Sequence, residues 1–179
     1  MSRCEYELGK IYLKLILLST PIGNIADASE RLKTYLNDGV LFFVEDSRKF
    51  FQLLKLLDVS KEGKLVIVFN DHKQSEINNN LKTLSEYEYG CLVSDAGSPV
   101  MSDPAFPFIK EVINNSGEVF SVPGPSAVIN ALEVSGLPPA PFMFHGFLPR
   151  SENDIKNILE YLPPKVTHSF FESPNRIHK

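Results

Sequence analysis

The sequence predicts an α/β protein: a mainly parallel open sheet with helices on both faces, followed by an incomplete second α/β domain. Two observations carry this. Short apolar runs of strand length alternate regularly with stretches whose apolar residues recur at helical spacing, the pattern of a parallel sheet with crossover helices. Three of the runs also end in loops of small and turn-forming residues: Thr20-Pro21-Ile22-Gly23-Asn24, the eleven residues 94–104 (SDAGSPVMSDP), and Val122-Pro123-Gly124-Pro125-Ser126-Ala127. In the second of these, one Gly, two Pro, three Ser and two Asp rule out helix or strand and require a fixed loop. In open α/β sheets ligands sit at strand ends, so three such loops point to one shared pocket. A polar surface turn is the plainer reading of any one of them alone.

Taken in order, residues 1–12 read as a tail. Residues 15–18 (LILL) form a first strand, because an unbroken apolar run bounded by turn residues suits a parallel strand covered on both faces. Asp27 with Glu30 resembles a capping box opening a helix to about residue 37. A second strand spans 40–44, and the dense apolar residues of 48–57 make a well-buried helix. A third strand spans 65–69, a helix follows around 77–84, and a fourth strand at 90–93 leads into the central loop. A helix over 105–115, a strand over 118–122 and a helix to about 134 complete an N-terminal domain of residues 13–136. Three prolines between 136 and 141 mark a linker at 137–141. Residues 142–179 then begin a second domain with strands at 142–147 and 166–171, a helix at 152–161, and Pro174 placed to start another helix.

Composition narrows the function classes. At 43% hydrophobic and 22% charged, with 13 Phe, the chain builds a packed soluble core. A net charge of −4 argues against a general basic coat for nucleic acid but allows a local patch. Cys4 and Cys91 make neither a disulfide framework nor a zinc site, which fits a reducing, cytoplasmic setting. The apolar run near residue 15 is too short to span a membrane. His72, His145, His168 and His178 stand singly, without metal-ligand spacing, so no metal is expected. Dinucleotide, Walker and serine-hydrolase signatures are missing.

The ordered set TPIGN, VEDSR, SDAGSPVMSDP, VPGPSA, LEVSGLP, FHGFLPR and FFESPNRI resembles the 16S ribosomal RNA cytidine 2′-O-methyltransferases, a group within the tetrapyrrole methylase superfamily. The resemblance covers residues 13–178. It implies an S-adenosylmethionine-dependent methyltransferase of two α/β domains, homodimeric, acting on small-subunit ribosomal RNA or the ribosomal subunit. Position by position it implies cofactor contacts from Pro21, Gly23, Asp95, Gly97, Ser98, Pro99, Ser126 and Ala127. Small residues suit a place where backbone must approach a ligand closely. Glu45, Asp46 and Arg48 match a family motif facing the nucleic-acid substrate, with Val44 and Ser47 in place of the usual Ala and Thr. Ala105 stands where the family usually has Gly, and family members run on past the position equivalent to Lys179.

A ribose hydroxyl is a poor nucleophile at neutral pH, so a carboxylate that takes its proton is useful. Asp46, Glu45 and Asp103 are the candidates, and Arg48 and Lys49 the candidates for binding phosphate. Each has a structural alternative: a helix cap for Asp46, a loop brace for Asp103, a solvated helix face for the two cations. Two other functions fit the same chain, methylation of a tetrapyrrole or other small molecule, and a non-catalytic binding or dimerisation module.

Overall fold

The computed structural model describes residues 12–69, 74–101 and 105–177. It divides into two compact units between Pro125 and Ser126, ahead of the proline-rich stretch at 137–141. The first unit holds five parallel strands, β1 (Lys14–Leu18), β2 (Leu41–Val44), β3 (Leu65–Val68), β4 (Gly90–Val93) and β5 (Glu118–Val122), in the order β3-β2-β4-β1-β5. The helices are α1 (Glu30–Asp38), α2 (Ser47–Leu56), α3 (Gln74–Leu84) and α4 (Phe106–Asn114).

Successive residues of a strand point to opposite faces, and here both faces are apolar because both are covered. Ile16, Leu18, Phe42, Val44, Cys91 and Val93 pack with Leu32 and Leu36 of α1 and Phe50 and Leu54 of α2. Leu15, Leu41, Phe43 and Leu92 pack on the other side with Ile77 and Leu84 of α3 and Phe108, Ile109 and Val112 of α4. Phe43 and Phe108 are fully buried and meet edge-on, 5.0 Å between ring centroids. Each such side chain contributes about 1.5–3 kcal/mol through burial. The Cys91 thiol is buried between these layers, and desolvation pushes its pKa up to about 12, so it serves as a core residue.

Several boundaries move from the sequence reading. Residues 25–27 form a short 3-10 turn capped by Asn24, whose Oδ1 accepts from Ala26 N at 3.1 Å. The chain then extends at Ser29, which caps α1 by accepting from Leu32 N at 3.1 Å, so Ser29 does the work expected of Asp27. At the other end of α1, Lys64 Nζ donates to the carbonyls of Leu36, Asn37 and Gly39, satisfying groups a helix leaves orphaned. β3 and β5 are the sheet edges, so Leu65, Val68 and Phe120 stay exposed despite their apolar character.

The second unit contains α5 (Ala127–Ser135), β6 (Phe142–Phe147), α6 (Glu152–Glu160) and β7 (Thr167–Phe171), with β6 and β7 paired in parallel. The register shifts between Phe144 and Phe147, where Gly146 takes φ +73°, a bulge conformation that favours glycine. Parallel pairing brings together two histidines that stand 23 residues apart: His145 Nε2 lies 2.9 Å from His168 Nδ1. His168 Nε2 lies 3.0 Å from the Pro163 carbonyl, which can only accept, so Nε2 carries the proton. In a neutral ring Nδ1 then accepts from His145 Nε2. Arg176 pairs with Glu172 at 3.1 Å and donates to the Leu148 and Pro149 carbonyls, tying the loop after β6 to the turn after β7. Residues 174–177 are that turn, where Pro174 had been expected to open a helix.

Among the described residues no helix is long and apolar enough to cross a membrane, and no group of three or more His, Cys, Asp or Glu could hold a metal ion.

Candidate functional site

The five parallel strands end in one row. Leu18 stands in register with Val93 and Val122, and Val44 with Val93 and Val68. The loops at 19–24, 45–46, 94–99 and 123–125 therefore leave from a single edge. After β1 the chain enters α1 on one face of the sheet, and after the neighbouring β4 it enters α4 on the opposite face. Adjacent strands with diverging connections open a crevice at their carboxyl ends, the usual ligand site of open α/β sheets.

Two of these loops are stitched together. Thr20 N donates to Gly97 O at 2.9 Å and Gly97 N to Thr20 O at 3.1 Å. Thr20 Oγ1 donates to Ser94 O at 3.2 Å and Ser94 Oγ to Gly97 O at 2.6 Å. Thr20 and Ser94 are buried, and a buried hydroxyl costs free energy unless it is paired, so these bonds fix the loop shape. Gly97 has φ +80°, strained for any other residue, and a Cβ there would stand 3.3 Å from Ile22 Cγ2. The third loop approaches still more closely. A Cβ on Gly124 would lie 2.8 Å from Ser19 Cβ, inside any tolerable contact. Around them Pro21, Asp95 and Ser98 are half-buried, Pro99 is buried, and Gly23 is exposed with open space beside it.

A charged cluster flanks this backbone cradle. Asp46 caps α2, accepting from Arg48 N at 2.8 Å. Arg48 returns to the same carboxylate through Nε at 3.0 Å and Nη2 at 2.6 Å, one donor to each oxygen. The Arg48 guanidinium holds the Asp46 carboxyl well below the usual carboxylate range, and Asp46 raises Arg48 in return. A carboxylate held so low is a weak proton acceptor. Lys49 Nζ lies 2.7 Å from Asp95 Oδ2, which raises its pKa. Asp95 N also makes a long bond of 3.4 Å to Glu45 Oε1, so Glu45, Lys49 and Asp95 link the end of β2 to the loop after β4.

Asp103 lies outside the described residues. Ser126 and Ala127 belong to the second unit, where Ser126 is the N-cap residue just before α5 and its carbonyl accepts from Asn130 N at 2.9 Å. Sequence reasoning missed Ser19, Thr20, Ser94 and Gly124 as the residues that bind the loops to one another. The available signal was a hydroxyl directly after an apolar strand, Ser19 and Thr20 after β1 and Ser94 after β4.

No family model matches the chain. It is 38% identical over 165 residues to the ribosomal RNA small subunit methyltransferase I of Thermotoga maritima, matching 92% of this chain and 73% of that protein. The chain belongs to this family. The ribosomal RNA small subunit methyltransferase I proteins of Mycobacterium tuberculosis (37% identical) and Mycoplasma genitalium (38%) are matched over 92% and 91% of this chain. The chain spans only 58% and 60% of their lengths. With over nine-tenths of the chain matched, all the strand-end loops fall inside the family's shared region. Solved structures show the same fold at low identity: uroporphyrin III C-methyl transferase from Thermus thermophilus (TM-score 0.51, 16% identical, 75% of this chain and 60% of that one) and precorrin-6Y methylase from Archaeoglobus fulgidus (0.52, 16%, 77% and 64%).

Proposed function

We propose that the chain transfers a methyl group from S-adenosylmethionine to a ribose 2′-hydroxyl of small-subunit ribosomal RNA. The observation that carries the reading is the joining, at one sheet edge, of a glycine-shaped backbone cradle to a cationic and acidic cluster through Lys49 and Asp95. Family membership supplies the substrate class.

The residues of the cradle fit the cofactor. Gly23 leaves open space where a side chain would stand, and Gly97 presents backbone that only glycine adopts without strain. When bound, the cofactor supplies an electrophilic methyl group on its sulfonium. Backbone of Pro21, Gly23, Gly97, Ser98 and Pro99 and the Asp95 side chain would hold it. Arg48, whose side chain is 88% exposed, takes a phosphate of the RNA and is aimed by Asp46. Asp46 is thus a positioning residue, and Glu45 is the better candidate to take the 2′-hydroxyl proton, because Asp46 is held too acidic to do so. Holding oxygen and methyl in line and away from water supplies most of the acceleration. The working partner is the small subunit or its RNA, in the cytoplasm, and the assembly is a homodimer.

Calorimetry of this chain with S-adenosylmethionine tests the cofactor half. A micromolar dissociation constant is the expected result. Absence of binding at millimolar ligand would leave only the non-catalytic module.

A further inference from the structure

The outer side of α2 carries a stripe that begins at Arg48 of the strand-end site and continues along residues that site does not use. Arg48, Phe51 and Lys55 stand at i, i+3 and i+7 and so share one side of the helix, while Phe50 and Leu54 face the core. Phe51 is 41% exposed. Its ring sits 5.8 Å from that of Phe50, which in turn packs 5.0 Å from Phe42 of β2, so the exposed ring is seated on the core. Arg48 spends Nε and Nη2 donors on Asp46, and the guanidinium has five N–H groups, so donors remain for a second anion. From Arg48 to Lys55 the helix rises about 10 Å.

A solvated helix face explains two cations, and the partly exposed ring seated between them adds a flat surface on which a base can stack. Two positive charges flanking an exposed ring, on a chain of net charge −4, match one polymer in particular: a single strand of nucleic acid, with phosphates for the cations and unstacked bases for the ring. We propose that this stripe is a single-stranded RNA track leading away from the strand-end site, with Arg48 and Lys55 on backbone phosphates and Phe51 stacked on a base. The proposal rests on the RNA methyltransferase reading above and adds the path by which the substrate strand reaches the site. Stacking tolerates any base, so the track grips the strand without choosing its sequence.

The test is fluorescence anisotropy of the full chain with a labelled oligouridylate of roughly ten nucleotides, a length within the range of single-strand sites. Phe51→Ala should weaken binding on the order of tenfold with an unchanged salt slope, and Phe51→Trp should bind at least as well as wild type. Lys55→Gln should weaken binding and reduce the slope of log K against log salt by about 0.7. Melting curves confirm that these exposed substitutions leave the fold intact. If Phe51→Ala and Lys55→Gln bind like wild type while Arg48→Gln weakens binding, the track is wrong and the RNA reading stands. If wild type fails to bind, or Arg48→Gln also changes nothing, both fall together.

Discussion

Lys49 and Asp95 lie 2.7 Å apart and tie the first turn of α2 to the loop after β4. Both side chains are partly exposed, so the pair adds little to global stability. Its importance is geometric, because it joins the charged substrate side of the proposed site to the cofactor side. Lys49→Met should weaken S-adenosylmethionine binding by two- to fivefold, the equivalent of about 0.5–1 kcal/mol for such a pair. In a double-mutant cycle with Asp95→Asn the two losses should be less than additive. Additive losses would show that the pair transmits nothing.

The Asp46–Arg48 pair makes a prediction in pH. Because Arg48 lowers the Asp46 pKa, the pair stabilises the fold above the unfolded carboxylate value near 4, and that contribution is lost as the pH falls below it. Asn also caps helices but carries no charge for Arg48, so thermal unfolding of Asp46→Asn should lie below wild type at neutral pH by the pair's contribution, and the two should converge on acidification below about 4. The same substitution should raise KM for RNA by roughly tenfold while leaving the acid limb of the kcat profile above pH 5 unmoved, because Asp46 is already ionised there. A shifted limb would make Asp46 the base after all.

Gly97 offers a test with a built-in control. Gly97 and Gly63 both take positive φ, +80° and +73°, but Gly63 faces open space away from the site. Alanine at either position should cost about 1–2 kcal/mol in backbone strain. Only Gly97→Ala should also weaken S-adenosylmethionine binding, by tenfold or more. Equal cofactor affinity in the two folded variants would remove Gly97 from the cradle.

Gly124→Ala should act through Ser19. A methyl group 2.8 Å from Ser19 Cβ forces the two loops apart at a cost of about 1–3 kcal/mol. Loss of stability together with cofactor affinity is expected, read by melting and calorimetry on the same sample. Wild-type values for both would mean that the loops separate freely.

Much of the fold was legible because its signals are local. β4 and β5 fall where their apolar runs end in turn residues, and the double covering of the sheet shows in four consecutive buried residues of β2. Strand order is not local, so nothing in the runs 65–68 or 118–122 told that Leu65, Val68 and Phe120 would lie on edges. The same limit hid the His145–His168 contact, which exists only because β6 and β7 pair. At the site, the residue types of the three loops pointed to a shared edge, but the Thr20–Gly97 bridge and the Lys49–Asp95 pair depend on which strands are neighbours. The rank of the carboxylates also needed geometry, since only the position of Arg48 separates Asp46 from Glu45.

The most direct test of the central claim is methyl transfer itself. This chain, small ribosomal subunits lacking the modification, and S-adenosylmethionine labelled in its methyl group are incubated together, and the RNA is digested and analysed by mass spectrometry. Label is expected in the small-subunit RNA, on a ribose, and should be lost with Arg48→Gln. Label on a base, or transfer to a tetrapyrrole with none to RNA, would contradict the claim.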